Sequence, residues 1–196
     1  MKRAALQFGF TIVELLVTIV VVGILASIVT VTYNGTQAQS RDKQRVTDME
    51  IIVNALEKYK SQHGEYPEEQ SMPSSLDGSG WELSNRPAGF LSELKNSGIL
   101  KDVPIEADAK NVGGSPSRDS TNYVYFYYLY PAGGFNGTTC DPSRGKYYIL
   151  GMTRMESVPI GQNSPDSPGS SCKSGASWTS RSFDSHGAWV TIGFTD

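Results

Sequence analysis

A long apolar run dominates the first part of the sequence, from Phe10 to Tyr33. Fifteen of residues 10–31 are Leu, Ile, Val or Phe, and no charged residue occurs in residues 15–40. As an α-helix, residues 10–33 would measure roughly 36 Å, which exceeds the ~30 Å hydrocarbon core of a bilayer. The pattern therefore predicts a membrane-spanning helix over about residues 10–33.

A helical period continues beyond this run on a more polar background. The residues that share one helical face, at spacings of three and four, are Val46, Met49, Val53, Leu56 and Lys60. Gly64 and Pro67 then mark the helix end. The sequence thus predicts one long helix over residues 10–63, whose amphipathic second half packs on a sheet. Asn34-Gly35 lies inside it, and because glycine weakens a helix by about 1 kcal/mol relative to alanine, the sequence leaves open both an unbroken helix and a local break near residues 33–36.

The rest of the chain, residues 64–196, has the pattern of a small globular head. Three segments rich in aromatic and β-branched residues are predicted strands, namely Tyr123–Tyr130, Lys146–Leu150 and Ala188–Phe194. A short helix is predicted within Pro87–Gly98, with Phe90, Leu91 and Leu94 on one face. The predicted fold class is α+β: a long N-terminal helix packed on an antiparallel sheet of at least three strands.

The two cysteines, Cys140 and Cys172, both lie among turn-forming residues of the head. An even number of cysteines in a loop-rich segment favours a disulfide formed in an oxidising compartment. Two separate buried thiols are the alternative. A bridge between Cys140 and Cys172 would restrain the long Ser/Pro/Gly-rich connection of residues 157–187, and in the chain-entropy model it contributes about 3–4 kcal/mol.

Composition and candidate chemistry argue against an enzyme. The 196 residues carry a net charge of −3, whereas nucleic-acid-binding domains usually present a basic face. His63 and His186 are isolated, and Asp141, Asp166 and Asp184 do not form a calcium-loop pattern. No motif of a serine hydrolase, a zinc protease or a phosphate-binding loop occurs. The sequence predicts no catalytic residue, no metal site and no cofactor.

Glu14 is the one charged residue of the apolar run. The aliphatic and aromatic residues around it favour insertion by very roughly 5–9 kcal/mol, whereas an acidic residue at mid-bilayer costs about 3 kcal/mol, so insertion is still favourable. One interpretation is that Glu14 reaches toward the lipid headgroups from the helix end. The other is that this intramembrane acid has a function.

The segment Gly9-Phe10-Thr-Ile-Val-Glu14-Leu-Leu, which follows a short basic leader, resembles the processing signal of type IV pilins and of type II secretion pseudopilins. The resemblance implies that a prepilin peptidase removes residues 1–9 by cutting between Gly9 and Phe10. It also implies that Phe10 becomes the N-methylated terminus. In an ordinary secretory signal the apolar stretch precedes the cut and is lost, whereas here it follows the cut and is kept.

The resemblance further implies self-assembly. In the family, the acid at the position of Glu14 pairs with the positively charged N-terminus of a neighbouring subunit, and the small residues Gly23 and Ser27 are expected to line helix contacts. The implied partners are further copies of the chain in a homopolymeric filament, minor pilins, the prepilin peptidase, and the pilus assembly platform with its motor. The implied location is the inner membrane as a single-pass precursor, then an extracellular surface filament.

Three functions are compatible with this sequence. The first is a pilin of a filament that serves adhesion, twitching motility or DNA uptake. The second is a pseudopilin of a type II secretion system. The third is a single-pass surface protein that does not polymerise.

Overall fold

The computed structural model describes residues 10–68, 80–85, 89–106, 120–134, 140–169 and 186–196. The chain divides into two compact units, Met1–Ser40 and Arg41–Asp196. The described elements are helix α1 (Ile12–His63), strand β1 (Glu82–Leu83), helix α2 (Ser92–Asn96) and strands β2 (Tyr125–Tyr130), β3 (Tyr147–Met152) and β4 (Trp189–Phe194). The predicted α+β class is confirmed.

Helix α1 begins at Ile12, two residues after the predicted start, and ends at the predicted residue. Its 52 residues stop at His63, and Gly64 follows with a φ of 85°, a left-handed conformation that suits glycine at a helix end. Of the two alternatives at residues 33–36, the structure shows the unbroken helix, because the cost of one glycine is small compared with the cooperative bonding of a long helix. Among the described residues, none of the helices combines the length and the hydropathy that a bilayer crossing requires.

The sheet is a four-stranded antiparallel meander in the order β1-β2-β3-β4. The three predicted strands are confirmed, with small changes at their ends. Strand β1 was not predicted, since two residues, Glu82 opposite Tyr127 and Leu83 opposite Phe126, are too few to give a sequence pattern. The short predicted helix is also present as α2, and Phe90, Leu91 and Leu94 are buried as expected.

Strand alternation sends successive side chains to opposite faces of the sheet, and both faces are buried. One face packs against the second half of α1, where Met49, Ile52 and Leu56 are fully buried. The sheet residues that meet them are Tyr125, Tyr127, Tyr148, Leu150 and Met152. The other face forms a second cluster with Trp81, Phe126, Tyr147, Ile149 and Val190 as its main members. The tyrosine-rich strand is therefore mainly core.

Candidate assembly site

The start of α1 is closed by a reciprocal pair of hydrogen bonds between Thr11 and Glu14. The Glu14 backbone N–H donates to Thr11 Oγ1 at 3.2 Å, and Glu14 Oε2 accepts from the Thr11 N–H at 2.9 Å. The Thr11 hydroxyl also donates to Glu14 Oε2 at 2.8 Å. This arrangement is a capping box, which satisfies two N–H groups that a helix start otherwise leaves without a partner. Glu14 is therefore held by its own helix before any second chain is present.

An exposed apolar surface follows this cap. The large apolar side chains of Phe10 and of α1 up to Ile28 are between 48 and 85% exposed. They are distributed all round the helix rather than along one stripe. Such a surface is unfavourable in water, because removing apolar surface from water stabilises a protein by about 25 cal/mol for each Å². We infer that this part of α1 is covered in the working protein.

Gly23 and Ser27 lie one helical turn apart on this exposed part of α1. Ser27 Oγ donates to the Gly23 carbonyl oxygen at 2.8 Å, so its polar atom is satisfied within the helix. No heavy atom lies within 4 Å of the position that a Cβ on Gly23 would occupy. The space beside Gly23 is thus open to a neighbouring helix, and the role of both residues in helix contacts remains a prediction.

In the unit that begins at Arg41, a cluster of charged side chains binds the first residues of this part of α1 to other segments of the same unit. We call it the arginine cluster; its members are Arg41, Asp42, Arg45, Glu106 and Glu156. Arg45 is its centre, with a side chain that is 4% exposed. Its guanidinium donates to Asp42 Oδ1 at 2.7 Å, to Glu106 Oε2 at 2.7 Å and to Glu156 Oε1 at 2.9 Å. Three chain segments are joined by this one side chain.

Asp42 binds the backbone of the segment that follows β3. Its carboxylate accepts from the N–H groups of Glu156 at 2.8 Å and Ser157 at 2.7 Å, and from the Ser157 hydroxyl at 2.6 Å. Burial by itself would raise the pKa of Asp42, but these hydrogen bonds and the one from Arg45 outweigh it and lower the pKa. Asp42 is therefore an anionic cap that anchors residues 156–157 to the helix.

Glu156 closes the cluster between two guanidinium groups. Arg41 binds it through two bonds, from Nε to Oε1 at 2.7 Å and from Nη2 to Oε2 at 2.5 Å. The bond from Arg41 is the largest influence on Glu156, and together with Arg45 it lowers the pKa of this carboxyl to about 2. Burial lowers the pKa of Arg45, but its three carboxylate partners raise it by more, so the guanidinium stays charged.

These shifts predict an acid-sensitive head. Glu156 and Asp42 have lower pKa values in the folded than in the unfolded chain. Their contribution to the free energy of unfolding is therefore complete above about pH 5. It is lost as the pH falls through the folded-state pKa, which is about 2 for Glu156. We expect the free energy of unfolding to fall by up to about 3 kcal/mol from Glu156 alone. Denaturant titrations at pH 7, 5, 4, 3 and 2 measure it, and Glu156→Gln should flatten the curve. An unchanged pH dependence in Glu156→Gln would rule out this contribution.

Two predicted site residues lie outside the part of the chain that the structure describes. Gly9 is one, so the cleavage between Gly9 and Phe10 stays a prediction. Cys140 is disulfide-bonded, but Cys172 lies outside the described residues and their pairing also stays a prediction. Among the described residues, no group of His, Cys, Asp and Glu has the arrangement of a metal site.

Two features of the site were missed from the sequence. The capping box has a recognisable signature, Thr11-x-x-Glu14 ahead of an apolar run. The arginine cluster has no such signature, because Arg45 and Glu156 are 111 residues apart in the chain. Arg41, Asp42 and Arg45 alone resemble any solvated helical turn.

Comparison with protein-family models finds a match at the N-terminal end of the chain. Residues 5–30 match the model of the prokaryotic N-terminal methylation motif. This range includes Gly9, Phe10, Glu14, Gly23 and Ser27. No solved structure matches the chain.

Three relatives match longer stretches of the chain than the motif model does. The type II secretion system core protein G of Vibrio cholerae is 39% identical over 67 residues, which are 34% of this chain and 46% of that protein. The core protein G of Aeromonas hydrophila is 39% identical over 100 residues, 50% of this chain and 65% of that protein. The type IV major pilin protein PilE1 of Neisseria gonorrhoeae is 30% identical over 105 residues, 50% of this chain and 58% of that protein.

The chain thus spans 46 to 65% of the length of these three relatives. Its fold, a long helix packed on a small antiparallel sheet, agrees with the resemblance drawn from the first residues. Over 34 to 50% of its length, the chain is similar to two type II secretion system core proteins G and to a type IV major pilin, and its residues 5–30 match the prokaryotic N-terminal methylation motif.

Proposed function

We propose that the chain is a structural subunit of a type IV pilus-like extracellular filament. It is made as an inner-membrane precursor anchored by residues 10–33, cleaved by a prepilin peptidase after Gly9, and assembled through α1. The observation that carries the proposal is the position of the capped Glu14 at the start of a helix with apolar side chains exposed on all sides, within the matched methylation motif. The subunit has no catalytic role.

Glu14 guides assembly in this proposal. Both Thr11 bonds go to Oε2, and we assign Oε1 to the N-terminal amine of a neighbouring Phe10. A carboxylate that leaves the membrane for a core of packed helices stays in a medium of low dielectric constant, where an ionic partner offsets its desolvation. Correct axial register supplies that partner, and a misplaced subunit does not. Gly23 and Ser27 allow helices to approach closely in the same core.

The proposed sequence of membrane insertion, cleavage and assembly implies the other partners. They are further copies of the chain, minor pilins, the prepilin peptidase, and the pilus assembly platform with its motor. The filament serves adhesion, twitching motility or DNA uptake.

A second candidate function is that of a type II secretion pseudopilin. It is favoured by the similarity to two core proteins G, each of which is 39% identical to this chain over the aligned residues. Both functions use the same processed helix and differ in the filament that results. A pilin gives long filaments that can be sheared from the cell surface, whereas a pseudopilin gives short assemblies that remain with the envelope.

Cleavage after Gly9 tests the proposal. It also distinguishes the pilin and the pseudopilin, which are both cleaved there, from a single-pass surface protein that does not polymerise. Intact-mass and peptide mass spectrometry of the membrane fraction should find a chain that begins at N-methylated Phe10. Gly9→Leu should block the cut, because a side chain then occupies the place of the small residue before the scissile bond. Gly35→Ala is the matched control: a Cβ there meets no atom within 4 Å, and the cut should be normal. An unprocessed wild-type chain that starts at Met1 contradicts the proposal.

A further inference from the structure

Strand β4 has the composition of an edge strand that is prone to pair with a strand of another chain. Its six residues, Trp189–Phe194, are aromatic, β-branched or small, and none of them is charged or proline. Strand β4 is the last strand in the sheet order, so only one of its sides pairs with β3. An uncharged edge strand of this kind is a template for pairing with another chain.

A short segment lies along the outer edge of β4 and occupies its hydrogen-bonding groups. We call residues 163–169 the edge strap. Ser167 Oγ accepts from the Val190 N–H at 3.0 Å and donates to the Val190 carbonyl oxygen at 3.2 Å. The Gly169 N–H donates to the same carbonyl at 3.0 Å. One serine hydroxyl thus takes the place of the backbone groups of a neighbouring strand.

The edge strap also covers the residues just before Val190. The Ser164 N–H donates to the Ala188 carbonyl oxygen at 2.6 Å, and the Asn163 side-chain amide donates to the Gly187 carbonyl oxygen at 3.0 Å. The indole Nε1–H of Trp189 donates to the Asp166 carbonyl oxygen at 3.1 Å. The first half of the β4 edge is therefore bonded within the chain.

The far end of the same edge is held by other residues. Backbone groups on one side of a strand recur at every second residue, so those of Val190, Ile192 and Phe194 lie on the same edge. The Phe194 carbonyl oxygen accepts from Lys60 Nζ at 2.8 Å and from the Tyr66 hydroxyl at 3.0 Å. Ile192 is bracketed between these two protected ends.

The edge strap does not create a new edge of its own. Pro165 and Pro168 lie within it and have no N–H to offer to a further strand. It is also folded back by a turn, in which the Ser167 N–H donates to the Ser164 carbonyl oxygen at 3.0 Å. At the other end of the sheet order, β1 has only two residues, which limits pairing there.

We propose that the edge strap keeps β4 from pairing with a strand of a second copy of this chain, so that copies associate through α1 and not through their sheets. That copies associate through α1 rests on the proposed function, whereas the protection of β4 by the edge strap does not and is tested by itself.

Ser167→Ala tests the strap, because it removes both side-chain bonds to Val190 and leaves the Gly169 bond. In the full chain in detergent micelles, hydrogen exchange of the Val190 amide should become about fivefold faster, since hydrogen bonds of this kind contribute about 1 kcal/mol. Sheet-rich oligomers, followed by thioflavin fluorescence and light scattering, should form sooner and in a concentration-dependent way. Ser143→Ala is the control, since Ser143 is exposed and its hydroxyl bonds only to nearby Asp141.

Adding Ile192→Lys to Ser167→Ala separates edge pairing from unfolding. A lysine at the edge repels a second strand and should restore slow oligomer formation, while Val190 exchange stays fast. If association instead came from unfolding, Ile192→Lys would increase it, because Ile192 packs against the buried cluster of that face. The proposal is overturned by unchanged Val190 exchange in Ser167→Ala, by fast exchange without oligomers, or by a double variant that associates like Ser167→Ala.

Discussion

Glu14→Ala is expected to leave the chain cleaved and inserted in the membrane, but to lower its recovery in surface filaments by at least about tenfold. Insertion should survive because removal of an acidic residue makes transfer into the bilayer easier. Assembly should fail because breaking a buried ion pair leaves an uncompensated charge, at a cost of about 3–5 kcal/mol. The measurement is the amount of chain in sheared surface fractions relative to the membrane pool.

The capping box makes a second variant decisive. Alanine removes both the charge of Glu14 and its bonds to Thr11, so a defect in Glu14→Ala has two explanations, the lost charge and a weaker helix start. Glutamine can still accept from Thr11 at the same position of a capping box, but it carries no charge. Glu14→Gln should therefore assemble as poorly as Glu14→Ala if the charge sets the register. Normal assembly of Glu14→Gln would assign Glu14 to capping alone.

Glu50→Ala provides the matched control for both variants. Glu50 is an exposed carboxylate on the same helix, within the unit that begins at Arg41. Its loss changes the net charge of the chain by the same amount as Glu14→Ala. Filament recovery should stay close to that of the wild type, and a defect as large as that of Glu14→Ala would show that net charge, not position, matters.

Arg45→Met is expected to lower the free energy of unfolding of the head by about 3–5 kcal/mol. Methionine fills a similar volume but leaves Asp42, Glu106 and Glu156 close together without their shared cation. The guanidinium of Arg45 also lies over the ring of Tyr123, with Cζ 4.4 Å from the ring centroid, and Arg45→Met removes this cation–π contact too. Urea unfolding followed by circular dichroism at pH 7 measures the change.

Lys43→Met is the control for Arg45→Met, since Lys43 is an exposed cation two residues away on the same helix. Surface substitutions of this kind usually change stability by less than about 0.5 kcal/mol. The amides of residues 156–157 should also lose exchange protection in Arg45→Met and not in Lys43→Met. Equal stability of the two variants would mean that the arginine cluster does not hold the head together.

The sequence predicted those elements that rest on local pattern. The end of α1 was predicted from Gly64 and Pro67, and the strands around Tyr127 and Ile149 from residue type alone. The sequence left open whether the helix breaks at Asn34-Gly35, because a propensity of about 1 kcal/mol is weak evidence within a helix of this length, and the structure shows a continuous helix there.

Contacts between distant segments were not predictable in the same way. The pairing of β1 with β2, the arginine cluster and the edge strap each depend on residues brought together only by folding. The assembly site was more accessible to sequence reasoning, because Phe10 and Glu14 lie close together in one motif. Even there the role of Thr11 became clear only from the direction of its hydrogen bonds.

The most direct measurement is immunogold electron microscopy of material sheared from cells that make the wild-type chain, with mass spectrometry of the same fraction. If the chain is a filament subunit, filaments labelled along their length should be recovered, and the chain in them should begin at N-methylated Phe10. A processed chain found only in the membrane pool, with no labelled filament in the sheared fraction, would contradict assembly into a pilus.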